Sequence, residues 1–207
     1  MLQVSQTALI AESNLTFDSA IPPALENACG MESIMNEIIE NILTRRSIRK
    51  FTDKPVDKDI LNELVQAALN APTGMGRQTW KFTVITNQDA IKKICKVIEK
   101  KLDRPGYNMY CPMALIMPSN EKDSPFGKED NACALENIFL AAHSYGIGSV
   151  WINQLQNICD DEDVRSVLDE LGVPANHIVY GMAALGYAAD DAPVKEKKIT
   201  GQTTFIE

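Results

Sequence analysis

The stretch LTRRSIRKFTDKPVDK, residues 43–58, gathers Arg45, Arg46, Arg49 and Lys50 within six residues of a chain whose formal net charge is −8. Three chemistries suit such a cluster. At the C-terminal end of a helix, a cation meets the negative end of the helix dipole, worth about 0.3–1 kcal/mol each, which accounts for one or two of the four. Nucleic-acid binding needs a wider basic stripe with interleaved aromatics, and only Phe51 follows here. A pocket for a small anion uses what remains: planar guanidinium forks, the Ser47 hydroxyl and turn backbone that can donate N–H groups.

Two further segments have the residue types of a ligand site. NAPTGMGRQTWKF, residues 70–82, places Pro72, Gly74 and Gly76 in a tight turn whose backbone can approach a flat ligand closely, and Gln78 adds an amide that both donates and accepts. GIGSVWI, residues 146–152, leads from small residues into a buried strand. Taken singly, the first reads more readily as a helix-to-strand loop and the second as packing.

The charge is unevenly placed. All 20 Lys and Arg lie beyond residue 44, whereas Glu12, Asp18, Glu26, Glu32, Glu37 and Glu40 precede it. The body of the chain is therefore close to neutral, with no large basic field for nucleic acid. The N-terminus lacks the basic start and apolar core of a secretory signal, and no stretch approaches the roughly 20 apolar residues that span a bilayer. Cys29, Cys95, Cys111, Cys133 and Cys159 are odd in number, widely spaced and without a CxxC pair. Structural thiols in a reducing cytoplasm are the expectation, with neither a disulfide scaffold nor a metal site.

The elements that must position these residues follow from periodicity. Residues 1–30 are polar, carry Pro22-Pro23 and read as a poorly structured extension before a single domain, 31–207. A first helix over 33–46, with Ser33 as its cap, follows from the helical spacing of Ile34, Ile38, Ile39, Ile42 and Leu43 and ends in the basic cluster. Asp57 caps a second helix whose inner face is Ile60, Leu61, Leu64, Val65, Ala68 and Leu69, ended by Pro72. A strand over 80–86, a helix over 88–102, a short strand before Pro118 and a helix over 128–145 follow. A strand at SVWIN, a helix over 161–171 capped by Asp160, and one long strand in HIVYGMAALGY complete the core. Helices around about four apolar strands predict an α+β, three-layer α-β-α fold. The tail after Pro193 ends in the strand-like TTFIE.

In this order, NEIIENILTRRSIRKF, AALNAPTGMGRQTW, NIFLAAHSYGIGSVWI and ALGY…KEKK resemble the nitroreductase family of FMN-dependent oxidoreductases, from about Met35 to Glu207. The likeness is strongest to its short branch from anaerobic bacteria, with Thr79 where many members carry Pro. The resemblance implies the family's mostly antiparallel central sheet, and a homodimer with FMN at the subunit interface and the C-terminal strand added to the partner. Arg45 and Arg46 would meet the phosphate and ribityl chain, with Ser47 alongside. Arg49 would lie near flavin N1 and O2, where a cation favours the reduced flavin. Pro72, Thr73, Gly74 and Met75 would line the ring, with Gln78 at its polar edge. Ser149, Val150, Trp151, Ile152 and Asn153 would pass along the other side, a backbone N–H reaching N5. Lys197 or Lys198 would approach the phosphate. No side chain need be catalytic, because flavin N5 carries the chemistry. The activity implied is transfer of hydride from NADH or NADPH to nitroaromatics, quinones or similar electron-poor acceptors, in alternating half-reactions. A flavin-binding protein that is not a general reductase is the alternative. In the loop RPGYNMYCPM, Tyr107, Asn108 and Tyr110 are the candidates for a substrate pocket, packing being the other reading. VWINQLQN lacks the acidic or glycine-rich continuation that many members show.

Overall fold

The structure, a computed structural model, describes residues 36–206. Residues 36–195 form one compact unit; the C-terminal segment from Glu196 lies outside it. The expected extension 1–30, the Ser33 cap and Ile34 lie outside the described residues.

Chain order is α1 (Glu37–Thr44), α2 (Lys58–Leu69), a short 3-10 turn (Gly74–Gly76), β1 (Trp80–Ile85), α3 (Gln88–Leu102) and β2 (Ala114–Glu121). There follow α4 (Gly127–Ser144), β3 (Gly148–Ile152), α5 (Glu162–Glu170), β4 (His177–Ile178) and β5 (Met182–Gly186). The sheet runs β1-β2-β5-β3, with β4 paired to the far end of β2. Each ladder is antiparallel. Both faces are covered, because alternate residues of the central strands enter opposite cores. Leu115 and Met117 of β2 and Met182 and Ala184 of β5 pack with Ile91, Ile94 and Ile98 of α3 and Val164 and Leu168 of α5. Ala114, Ile116, Ala183 and Leu185 face Leu61, Leu64 and Ala68 of α2 and Leu135, Ile138 and Phe139 of α4. The architecture is α+β in three layers, as expected.

Local chemistry sets the element ends. The Asp57 carboxylate accepts the N–H of Asp59 at 2.7 Å at the start of α2, and Asn87 accepts that of Ala90 at 2.9 Å at the start of α3. The outer lysines of α3 pair with acids at or near α5: Lys93 with Glu170, Lys100 with Asp163, Lys101 with Asp161. Such exposed pairs align the helices and add little stability. Gly146, at φ 68°, takes the left-handed turn that ends α4.

Four elements depart from the periodic reading. Helix α1 begins at the Asn36 cap and stops at Thr44, before the arginines; no α1 side chain is buried, and Ile38 is 69% exposed. Strand β2 continues through Pro118, whose carbonyl accepts from Nδ2 of Asn131 at 3.3 Å; β5 pairs only with 114–116 and β4 only with 120–121, so the proline sits at a gap in that ladder. The expected last strand is split at Tyr180-Gly181, where the chain passes against the indole of Trp151; a Cβ on Gly181 would lie 2.8 Å from it. Asp161, not Asp160, caps α5, through its backbone: its carbonyl accepts from Arg165 N–H at 2.7 Å. The segment 196–206 holds no strand, and Phe205 and Ile206 are 78% and 95% exposed.

Candidate functional site

The basic turn is fastened to the open edge of β3. Ile48 N–H donates to the Ser149 carbonyl at 2.9 Å, and Thr52 N–H to that of Tyr187 at 2.9 Å. Glycine makes the approach possible: a Cβ on Gly148 would lie 2.9 Å from that of Ile48, and one on Gly186 3.0 Å from the Phe51 ring. Two of the three sequence-predicted segments, 45–49 and 149–153, are thereby brought together. Because Ser149 turns its carbonyl outward, strand alternation turns the backbone groups of Trp151 and Asn153 outward too. The Asn153 N–H is taken by Oε1 of Gln154 at 3.1 Å.

The side chains follow from that placement. Arg45 lies over the Phe139 ring at 5.9 Å, with its Nε 4.0 Å from Glu136 of α4. Arg45 and Ser47 line a cavity of about 130 Å³ with Glu136, Phe139, Val150 and Trp151. Arg46 uses Nη1 to donate to the carbonyls of Leu43 (2.6 Å) and Arg45 (2.9 Å), so it also closes the C-terminal end of α1. Arg49 reaches the face of Tyr110, 6.0 Å from the ring centroid. Among the described residues, Glu136 is the sole carboxylate paired with Arg45, and Arg46 and Arg49 have none. Trp151 also borders a second cavity of about 330 Å³, which takes in Tyr107, Asn108 and Tyr110.

The glycine-rich turn stands elsewhere on the same chain. Gly74 N–H donates to Asp130 in the first turn of α4 at 2.8 Å, and a Cβ there would run into Phe126 at 2.2 Å. Met75, Gly76 and Gln78 have positive φ (57°, 67° and 49°), and Met75 is 78% exposed. The arginine turn meets α4 at Glu136 and Phe139, about 9 Å and 13 Å of helix rise further on. Pro72, Thr73, Gly74, Met75 and Gln78 thus form a separate surface. Lys197 and Lys198 are exposed in the C-terminal segment.

Periodicity alone did not mark Glu136 and His143 on α4, nor Arg104 and Gln154 beside the larger cavity. The signal for the first two is the spacing 136, 139, 140, 143, one stripe of α4. Asn41 binds that stripe at the Leu140 carbonyl (2.9 Å), and Thr44 at Nε2 of His143 (2.9 Å). Among the described cysteines, Cys95 and Cys159 are buried and Cys111 and Cys133 exposed, all four unbridged.

The nitroreductase family profile matches residues 42–187, more than half of the chain. An Archaeoglobus fulgidus protein provisionally named NADH dehydrogenase/NAD(P)H nitroreductase is 30% identical over 161 residues, 76% of this chain and 88% of its own. A Bacteroides fragilis nitroreductase solved with bound FMN superposes at TM-score 0.79 with 40% identity, over 84% of this chain and all of the other. A Desulfitobacterium hafniense nitroreductase, also with bound FMN, shares the fold at TM-score 0.75 and 22% identity, over 84% of this chain and 100% of the other. The chain belongs to the nitroreductase family.

The arginine turn leaves a pH signature. Burial, and then the charges of Arg45 and Arg46, hold the His143 pKa below its ordinary 6.5. The fold favours the neutral ring, so its contribution is complete above pH 6.5 and is lost as pH falls from 6.5 through the lower folded-state value. Urea unfolding at pH 7.5 and 5.5 is expected to show a smaller acid loss in His143→Gln than in the parent; equal losses would mean that His143 is not the titrating group.

Proposed function

We propose that the chain is an FMN-dependent oxidoreductase that passes hydride from NADH or NADPH to small electron-poor acceptors, nitroaromatics and quinones among them, in alternating half-reactions. The observation that carries this reading is the guanidinium cluster at the edge of β3, with one distant carboxylate for three arginines. Such a donor set suits a phosphate monoester: planar forks, a hydroxyl and outward strand backbone. Arg45 and Ser47 would bind the phosphate and ribityl end, joined by the donors that Arg46 has left after capping α1. Arg49 would supply positive charge for the N1 and O2 side of the ring, and the outward N–H of Trp151 a hydrogen bond along its N5 edge. FMN, when bound, supplies the redox chemistry at N5; the side chains bind, orient and tune.

The site is incomplete in one chain on this reading, because the turn 72–78 stands on another part of α4. A homodimer joins the two halves, the turn of one subunit covering the ring held by the other. The uncovered face of α1, with Ile38, Ile39, Ile42 and Leu43 exposed, supports a second copy as the partner. The arm 194–207, bearing Lys197 and Lys198, is assigned to the same contact, its TTFIE segment adding a strand to the partner's sheet.

The protein loaded with FMN is expected to be yellow and to bleach with NADH or NADPH under anaerobic conditions, and to regain its colour with a nitroaromatic or a quinone. A yellow protein that neither nicotinamide bleaches would contradict the reductase reading and favour flavin binding for another purpose. A chain ending at Pro193 is expected to shift toward monomer in light scattering and to hold FMN more weakly. A truncated protein that stays dimeric with full flavin content would show the arm to be dispensable.

A further inference from the structure

Two buried side chains hold the glycine-rich turn by its ends. Asp130, 3% exposed in the first turn of α4, accepts the Gly74 N–H at 2.8 Å. Asn120, fully buried near the end of β2, accepts the Thr79 hydroxyl at 2.6 Å, next to the Trp80 pairing that starts β1. Both anchors stand on fixed elements. Asn120 Oδ1 also takes the Glu121 N–H at 2.9 Å, and beside Asp130 the Asn131 amide ties α4 to the Pro118 carbonyl. The Phe126 ring closes on Gly74 from a third side, leaving no room for a Cβ.

Between the anchors the backbone is held in an uncommon shape. Met75 and Gln78, neither of them glycine, have φ of 57° and 49°. Left-handed backbone of this kind persists only where the surroundings enforce it. The turn's own bonds are few: Gly76 N–H to the Thr73 carbonyl at 3.1 Å, and Arg77 N–H to that of Gly74 at 3.3 Å. Met75 and Gln78 are what it presents outward, both exposed.

Stability alone does not account for the anchors. Oδ2 of Asp130 and Nδ2 of Asn120 are buried without a hydrogen-bond partner among the described residues. Unpaired buried polar atoms are destabilising, and packing by itself would favour apolar side chains at these positions. The bonds that the two side chains make outside their own elements both go to the turn.

We infer that Asp130 and the Thr79–Asn120 pair are positioning residues, which fix the glycine-rich turn at both ends so that Met75 and Gln78 form a preset face for a flat ligand. Identifying that ligand as the flavin ring held by the partner subunit rests on the proposed function; the clamping of the turn does not. With either end released, the turn keeps its binding shape for only a fraction of the time, and affinity falls by that fraction. FMN and riboflavin share the ring, so both weaken by the same factor, whereas a loss at the arginine turn acts on FMN alone.

The test compares the full-length parent protein with Asp130→Ala, Asp130→Asn, Thr79→Val and Thr79→Ser. Hydrogen exchange of flavin-free protein, followed by mass spectrometry, is expected to quicken at least about tenfold at residues 74–77 in Asp130→Ala and in Thr79→Val. It should stay near the parent rate in Asp130→Asn and Thr79→Ser, which keep an oxygen at the same place. Titration should show FMN and riboflavin both weakened about tenfold in the Ala and Val variants at an unchanged FMN-to-riboflavin ratio, and about twofold or less in the Asn and Ser variants. A merely structural role would lower the melting temperature without moving the affinity for either flavin. Thr79 lies in a half-buried loop, so Thr79→Val decides the matter even where Asp130→Ala does not fold. Parent-like exchange in the variants that fold, parent-like affinity for both flavins, or a loss confined to FMN would overturn the inference. Bleaching of the same samples by NADH or NADPH tests the reductase reading separately; should neither flavin bind the parent, the exchange rates alone decide whether the turn is clamped.

Discussion

The rest of the site depends on one hydrogen bond across an open sheet edge, from Ile48 N–H to the Ser149 carbonyl. An edge strand offers unpaired backbone groups that must be covered or used. Here the chain returns from α1 to cover the first part of β3, where Gly148 leaves room for Ile48, and leaves the backbone of residues 151 and 153 facing out. That placement brings Arg45 and Ser47 to the same cavity as Val150 and Trp151. Cations that would be solvated on a plain helix end are instead held together with little counter-charge, an arrangement that an anionic ligand stabilises.

Helix α4 divides the labour. One stripe of it, through Glu136, Phe139, Leu140 and His143, receives the arginine turn and the end of α1; its first turn, through Asp130, receives the glycine-rich turn. Two segments that belong to one ligand site in the proposed function are thus anchored on different parts of the same helix. On the proposed function, a second copy would cover the exposed apolar face of α1 and complete the site at the same contact.

Much of this was legible in the sequence because periodicity reports which residues share a face. The inner faces of α2, α3 and α4 follow their apolar spacing, except that Leu69, expected inward, is exposed at the end of α2, and Asp57 caps α2 as its type and place predict. Periodicity does not report what covers a face, so the spacing of α1 shows an apolar stripe but not that the described chain leaves it bare. The strand limit expected at Pro118 gave way because the neighbouring ladder has a gap there, and the break at Gly181 comes from the Trp151 indole, a contact distant in sequence. Within the site, the arginine turn and β3 were marked by composition and family likeness. Glu136 and His143 were hidden in a helix whose spacing reads as core, and Arg104 and Gln154 gain meaning only when their loops meet. TTFIE has strand propensity, yet its described residues 203–206 form no strand.

The central claim is that the turn at 45–49 holds a phosphate-bearing flavin. The most direct measurement titrates flavin-free protein with FMN and with riboflavin, which differ by that phosphate alone, and repeats both with Arg45→Ala. The account predicts that FMN binds the parent protein at least about tenfold more tightly than riboflavin, and that Arg45→Ala weakens FMN while leaving riboflavin nearly unchanged. Equal affinities for the two flavins, or an FMN affinity indifferent to Arg45, would contradict it.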